Sequence, residues 1–371
     1  MTTLRRLWLR VHLWLGLGLG LWFVLLGLTG SLLVFYPELD RLLLPAQRVS
    51  AACVAPASLD SALARLRELE PSRTGPWRFE LPRDAGVPLI ARYYQPKEKA
   101  GRRFAPLLVT LDPCSLTLTS SRLWGDTTMT FLYDLHYQVL LDAVGGKVVG
   151  IGGFLLLLSM LSGLLLWWPR KGRWPAALRP QLRRGLARKT WDLHTRSAVY
   201  GLPLLLVLTG TGILLALPDW LNPLIDRISP LQDTPRPIAL VPGLRSVTPD
   251  AAVARAVPEL PGARPSWVDT PNGDAGTYRV RLWAPGEPSR RFPHNDVWID
   301  PSTGVVLATQ DVRTRGAGDS LLAWLHPLHN GEAGGTIGRW LAFIGGILPI
   351  VLAVTGWMRW RQKRAPRPVR R

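Results

Sequence analysis

Four long apolar runs limit what this chain can fold into: Val11–Tyr36, Val144–Trp168, Tyr200–Leu217 and Leu341–Trp357. A hydrocarbon core about 30 Å thick takes roughly 20 helical residues. Backbone groups in lipid must be satisfied within the segment, which selects helix for an apolar run of this length. None of the four contains an acidic residue, and Lys147 is the only cation among them. The third run is short and needs helix on its N-terminal side to reach across. Each is therefore expected to span a membrane, although 371 residues would also accommodate two or three soluble domains.

The charge is arranged to match. Arg5, Arg6 and Arg10 precede the first run. Arg170, Lys171, Arg173, Arg179, Arg183, Arg184, Arg188 and Lys189 lie between the second and third, with no acid before Asp192. Arg359, Arg361, Lys363, Arg364, Arg367, Arg370 and Arg371 follow the fourth. These segments supply nearly all of the net charge of +19, and the connections 37–135 and 218–325 are close to neutral. The positive-inside rule then places both termini and the short loop in the cytoplasm and both long connections outside. Cations flanking spans meet lipid head groups, so the basic balance gives no reason to expect nucleic acid as a partner. The first run is about twice as long as a signal-peptide core and is read as an uncleaved span.

The chain is also expected to be a duplication. Sliding Asp319–Trp360 back onto Asp126–Trp167 sets His329 on His136 and Gly338 on Gly145 without a gap. It also sets Ile344-Gly345-Gly346 on Ile151-Gly152-Gly153, Thr355 on Ser162 and Gly356 on Gly163. A second, weaker match sets His194 on His12 and Thr211-Gly212 on Thr29-Gly30. Two apolar helices matched by chance share leucines. They do not share histidine, aspartate, glycines and tryptophan in one register. The outer segments repeat as well. Leu59–Glu70 and Pro249–Val257 read as short helices. Strands are expected at Trp77–Leu81, Leu89–Tyr94, Leu107–Leu111 and Leu116–Ser120, and again at Trp267–Thr270, Tyr278–Trp283, Val297–Asp300 and Val305–Thr309. Asp112-Pro113 and Asp300-Pro301 are matching turns.

Histidine is the chemically active residue that the duplication keeps. Topology sets His12 and His194 at the cytoplasmic face and His136 and His329 at the outer face. A pseudo-two-fold axis would bring the members of each pair face to face. Neutral imidazoles opposed from two helices clamp a haem iron, and Gly16, Gly18, Gly20 and Gly27 leave room for a flat group. Arg10 and Arg196 at one face, and Arg339 or Lys147 at the other, are candidate partners for haem propionates. Taken singly, each histidine could instead meet head groups or cap a helix. The pairing by side and by repeat favours the clamp. His326, one turn from His329, aligns with Tyr133 and is given a supporting or substrate-side role. His294 has no counterpart and reads as a surface residue. Residues 136–167 as one helix would run about 47 Å, which carries His136 to the outer head groups or beyond; Gly145-Gly146 offers a break.

Zinc needs three or four converging ligands, and Asp134, Asp142 or Glu332 are the only acids near the outer pair. The chain has no CxxCH, which excludes covalent c-type haem. Its glycine-rich stretches lack the strand-to-helix setting of a nucleotide fingerprint. Cys53 and Cys114, the only cysteines, both fall in the first outer segment, where a disulfide is one of two open outcomes.

Several pieces together resemble the PepSY-associated transmembrane helix family, of the iron-regulated inner-membrane protein and siderophore-iron reductase type. They are His12 with Leu28-Thr29-Gly30, Asp134-Leu135-His136, Trp191-Asp192-Leu193-His194, Leu325-His326-Pro327-Leu328-His329-Asn330-Gly331 and Val354-Thr355-Gly356-Trp357. The likeness runs over nearly the whole chain, specific in the spans and thin in the outer segments. Asn330 departs from it, since many members carry Thr there. The resemblance implies b-type haem, here two, and an oxidoreductase of the bacterial inner membrane that delivers electrons to a periplasmic ferric chelate or ferric siderophore. With no flavin or nicotinamide domain in the chain, the donor is expected to be quinol or a separate cytoplasmic reductase.

The expected fold is a four-span α-helical membrane bundle with two small periplasmic α+β (PepSY-like) domains and an internal two-fold repeat. The expected organisation begins with a cytoplasmic N-terminus and first span over 1–36, a periplasmic domain over 37–130 and a second span over 131–168. A basic cytoplasmic loop follows over 169–190 and a third span over 191–217. The second periplasmic domain covers 218–320, the fourth span 321–360 and a basic cytoplasmic tail 361–371. Two other functions fit the same layout: a membrane-anchored regulator of a periplasmic protease, and a haem or metal permease.

Overall fold

The computed structural model describes residues 3–45, 49, 53, 55–179 and 185–364. Five of the expected flanking cations, Arg183, Arg184, Arg367, Arg370 and Arg371, lie outside them. In chain order the helices begin with α1 (Thr3–Gly18), α2 (Gly20–Val34), α3 (Tyr36–Leu43) and α4 (Leu59–Leu69). Strands β1 (Trp77–Glu80), β2 (Leu89–Tyr93), β3 (Leu107–Leu111) and β4 (Leu118–Leu123) follow. Next come α5 (Thr128–Gln138), α6 (Asp142–Trp167), α7 (Trp174–Leu178), α8 (Leu186–Ala216), α9 (Pro218–Ile228) and α10 (Pro249–Ala256). The chain continues through β5 (Arg264–Asp269), β6 (Tyr278–Trp283), β7 (Asn295–Ile299) and β8 (Val306–Gln310) to α11 (Ala317–His329) and α12 (Gly335–Arg364).

Two compact units result. The helical unit takes the chain up to Phe35, then Leu132–Pro218, then Leu325 onward. Asp142–Trp167, Leu186–Ala216 and Glu332–Arg364 are each long and apolar enough to cross a membrane. Thr3–Gly18 and Gly20–Val34 make a fourth crossing if read as one span, bent by 58° at its break. The bend falls where Gly16, Gly18 and Gly20 weaken the helix. α12 packs on α2 and α8, and α6 packs on α8 and α1. Lipid tails give no hydrophobic drive between helices, so close approach depends on small residues. Gly27 shows this: an added β-carbon would lie 2.3 Å from the Gly346 carbonyl. Beside it the Ser31 hydroxyl donates to the Phe343 carbonyl at 2.8 Å.

α5 and α6 are separate helices, and the break lies ahead of Gly145-Gly146 rather than at it. Val139, Leu140 and Asp142 adopt φ of 43°, 63° and 54°. Gly145 lets the chain fold back, since a β-carbon there would lie 1.6 Å from the Gln138 carbonyl. Between α11 and α12 the same reversal uses Gly331 and Gly335, at φ 78° and 57°, and Gly338 abuts Gly331.

The second unit holds Tyr36–Phe131 and Asp219–Trp324. The two segments, expected as two α+β domains, join in one eight-stranded antiparallel sheet of order β4-β3-β2-β1-β5-β6-β7-β8. Phe79 pairs with Val268 across the β1–β5 seam. One face is apolar by alternation: Phe79, Ala91, Val109, Val268, Val280 and Val297 are all buried, and α4 and α10 cover them with Ala62, Leu66, Ala252 and Ala256. The two helices cap each other. Asp250 accepts from the Leu59 and Asp60 amides at 3.1 and 2.9 Å, and Asp60 accepts from the Asp250 amide at 3.0 Å. The other face is cationic and aromatic. The guanidiniums of Arg78, Arg92 and Arg281 lie 5.0, 5.5 and 5.1 Å from the Trp267 ring. Arg78 pairs with Asp269 across the seam. Burial pushes the Glu80 carboxyl up, but Arg92 and Arg83, each at 2.6 Å, hold it below the ordinary carboxylate range.

Asp112 and Asp300 build matching turns, each accepting from the amides two and three residues on. Cys53 and Cys114 form a disulfide, settling the question their sequence positions left open.

Candidate functional site

Four histidines meet in two pairs. His12 on α1 faces His194 on α8, with ring centroids 6.2 Å apart. His136 on α5 faces His329 on α11, with centroids 6.1 Å apart. A metal–imidazole bond is about 2.0 Å and a ring nitrogen lies roughly 1 Å from its centroid, so two imidazoles on opposite sides of one metal ion have centroids about 6 Å apart. Both pairs have that spacing.

A common socket holds each ring. His12 Nδ1 lies 3.0 Å from the Ser159 carbonyl and 3.1 Å from the Ser162 hydroxyl. His136 Nδ1 meets the Leu26 carbonyl at 3.0 Å and the Thr29 hydroxyl at 3.1 Å. His329 Nδ1 meets the Leu208 carbonyl at 3.0 Å and the Thr211 hydroxyl at 3.1 Å. His194 Nδ1 reaches the Thr355 hydroxyl at 2.9 Å and the Leu352 carbonyl. A carbonyl oxygen only accepts, so Nδ1 carries the proton in all four rings and donates it. The hydroxyls are committed elsewhere as donors: Thr29 to Leu25, Ser162 to Ser159, Thr211 to Val207 and Thr355 to Val351, within the helix carrying them. That leaves each hydroxyl oxygen to accept from imidazole. The tautomer that results has its lone pair on Nε2, as a metal ligand requires.

A glycine completes each socket. β-Carbons added at Gly30, Gly163 and Gly212 would lie 2.8, 2.9 and 3.0 Å from Cε1 of His136, His12 and His329. At Gly356 the corresponding distance to His194 is 3.4 Å. Each socket is thus a Thr-Gly or Ser-Gly pair preceded, three residues earlier, by an accepting carbonyl. α2 holds the histidine of α5 while α6 holds that of α1. α8 holds the histidine of α11 while α12 holds that of α8. The donor set and the spacing fit two bis-histidine haem sites.

The family model described as PepSY-associated TM region matches residues 9–363. The chain belongs to the PepSY-associated TM region family. A comparison with curated proteins returns no match.

In this PepSY-associated chain the expected propionate partners are placed differently from one another. Arg10 stands exposed. Arg196 donates to the Ala177 carbonyl at 2.8 Å, to the Arg179 carbonyl, and to Asp192 at 3.2 Å, so it ties α8 to the end of α7. Arg339 donates to the Val34 carbonyl at 2.9 Å and lies 4.7 Å from the Phe35 ring, which satisfies the C-terminus of α2. Lys147 is exposed on α6. His326 lies beside Asn330, with Nδ1 at 3.2 Å from the amide nitrogen. His294 is half-buried in the sheet unit rather than superficial. Its amide donates to Glu287. Burial pushes its imidazole down to about 4, with Arg281 and Arg315 adding to the effect. Burial pushes the Glu287 carboxyl up to about 7, against amide donors from His294 and Ala284. Among the described residues, no group of three or more histidine, cysteine or acidic side chains is placed to hold a metal ion.

The socket residues had no role in the sequence reading. Their signal was present, because Thr29-Gly30, Ser162-Gly163, Thr211-Gly212 and Thr355-Gly356 all stand out in the repeat alignment. Alignment alone does not say that a hydroxyl-glycine pair faces a histidine on a different helix.

Proposed function

We propose that this protein is a di-haem b electron-transfer protein of the bacterial inner membrane. Its substrate is a ferric chelate of the siderophore class on the periplasmic side, and its electrons come from quinol or a separate cytoplasmic reductase. One observation carries the reading: two imidazole pairs, each spaced for one metal ion between them, with Nδ1 donated away and Nε2 left free. In this reading the bundle has four spans and two halves related by a pseudo-two-fold axis, α1, α2, α5 and α6 in one and α8, α11 and α12 in the other. Each pair takes one histidine from each half.

His12 and His194 would hold one b-type haem, and His136 and His329 the second. Bound there, the haems supply one-electron redox centres at two depths. The chain's own part is to orient the ligands and exclude water. The sockets keep every Nδ1 occupied, so no imidazole turns away, and the apolar helices around them keep the sites dry. The periplasmic substrate gains one electron, and Fe(II) is released because it binds hard oxygen chelators far less tightly than Fe(III) does. Reduced spectra of the detergent-solubilised protein test the reading. Two b haems per chain are expected, and His194→Ala and His329→Ala should each remove one. Unchanged haem content in both variants would overturn the ligand assignment. Reoxidation of the dithionite-reduced protein by a ferric hydroxamate, with none by the matching gallium complex, tests the substrate class.

A further inference from the structure

The two pairs agree in spacing and differ in twist. The planes of His12 and His194 cross at 78°, and those of His136 and His329 at 44°. An imidazole turns freely about its bond to Cβ unless something fixes it, and here the socket does. Nδ1 is tied to a carbonyl and to a hydroxyl one turn further on, and Cε1 rests on the following glycine. Three points on one rigid helix define the ring plane before any ligand arrives.

The sockets are not equivalent. Thr29 and Thr211 serve the second pair, and both of its rings sit tightly, since β-carbons added at the neighbouring glycines would lie only 2.8 and 3.0 Å away. Ser162 and Thr355 serve the first pair, where one hydroxyl lacks the methyl group and the Gly356 approach relaxes to 3.4 Å.

Resting on the haem reading above, we propose that Ser162 and Thr355 are positioning residues that hold the His12–His194 rings nearly crossed, and that Thr29 and Thr211 hold the His136–His329 rings closer to parallel. The two centres are thereby electronically distinct. Each axial imidazole donates π density perpendicular to its own plane. Parallel rings both act on the same iron dπ orbital and split the pair. Crossed rings act on one orbital each and leave the pair nearly degenerate. In the oxidised low-spin state, near-degeneracy gives a much more anisotropic magnetic resonance signal.

The test is electron paramagnetic resonance of the oxidised full chain in detergent, with haem counted separately as the alkaline pyridine complex. Two low-spin signals of unequal anisotropy are expected. Thr355→Val and Ser162→Ala should shift or remove only the more anisotropic one, and Thr29→Val and Thr211→Val only the other. Thr355→Ser keeps the hydroxyl and should keep the parental signal, so loss of that centre in Thr355→Val with retention in Thr355→Ser supports the assignment. Two signals of equal anisotropy, or a more anisotropic signal that follows Thr211 instead of Thr355, would overturn this inference while leaving the haem reading intact. Wild-type protein without haem would overturn both.

Discussion

A glycine beside an imidazole and a histidine beside a carboxyl each give a measurable consequence at the scale of one residue. Gly163 is the point on α6 against which His12 rests, and a β-carbon there would stand 2.9 Å from Cε1. Both partners sit on helices, so the ring has to swing off its hydrogen bonds. On the haem reading proposed above, Gly163→Ala should therefore lose one of two haems, read as half the pyridine haemochrome per chain. Gly146→Ala on the same helix meets nothing nearer than 3.9 Å and should keep both. Equal haem in the two variants would show that the glycine contact does not position the ring. His294 and Glu287 make a second prediction, through linkage. The imidazole titrates at about 4 when folded and at about 6.5 unfolded, so its contribution is present above the unfolded value and lost as pH falls toward the folded one. The carboxyl titrates at about 7 when folded and at about 4.3 unfolded, so its contribution is present below the unfolded value and lost as pH rises through the folded one. The slopes oppose each other in the parent. Thermal unfolding of His294→Gln should fall in midpoint from pH 5 to pH 7 relative to the parent, and Glu287→Gln should rise. Variants that both parallel the parent would remove titration of this pair as a source of pH-dependent stability.

At the scale of elements, the reversals before α6 and α12 decide whether the second histidine pair forms. The apolar helices long enough to cross were legible in the sequence, because apolar length is a local signal. The sequence did not disclose where the 136–167 stretch breaks. Val139 and Leu140 carry no turn signature, and their positive φ is imposed by the packing of Gly145 on the Gln138 carbonyl. Gly335, ahead of α12, has φ 57° with ψ −143°, a backbone region open essentially to glycine alone. A β-carbon at Gly335 meets no other atom within 4 Å, so any cost of substitution there is backbone strain alone. Gly335→Ala should destabilise the folded protein by about 1–3 kcal/mol. Gly334→Ala, equally open but without positive φ, should be neutral or better. Denaturant midpoints of the two variants in one detergent make the comparison, and a loss shared by both would show that helix or loop propensity, not the positive-φ backbone at Gly335, was responsible.

The whole molecule is constrained by one seam. β1 comes from the first connection and β5 from the second, and they pair residue by residue in a single sheet. Strands of one sheet lie on one side of a membrane, so the chain between Trp124 and Arg264 crosses an even number of times. α6 and α8, both apolar and long enough, then cross together. Sequence reading foresaw most of the strands, but it divided them into two domains because strand propensity is local and carries no information about which edges meet. The Arg78–Asp269 pair and the cluster around Trp267 exist only once the seam has formed. The proposed side rests on chemistry. The Cys53–Cys114 bond belongs to the sheet unit, and disulfides persist in oxidising compartments. In the orientation proposed above, the loop containing Arg170, Lys171 and Arg173 is on the opposite, cytoplasmic side. Alkaline phosphatase, active only outside the cytoplasm, should be active when fused after Pro237 and inactive when fused after Arg173 or Arg364. In the same cells both cysteines should resist alkylation until reduced. Activity at Arg173 would invert the proposed orientation and, with it, the proposed side of the substrate. Activity at neither Pro237 nor Arg173 would mean that α6 and α8 do not cross as a pair.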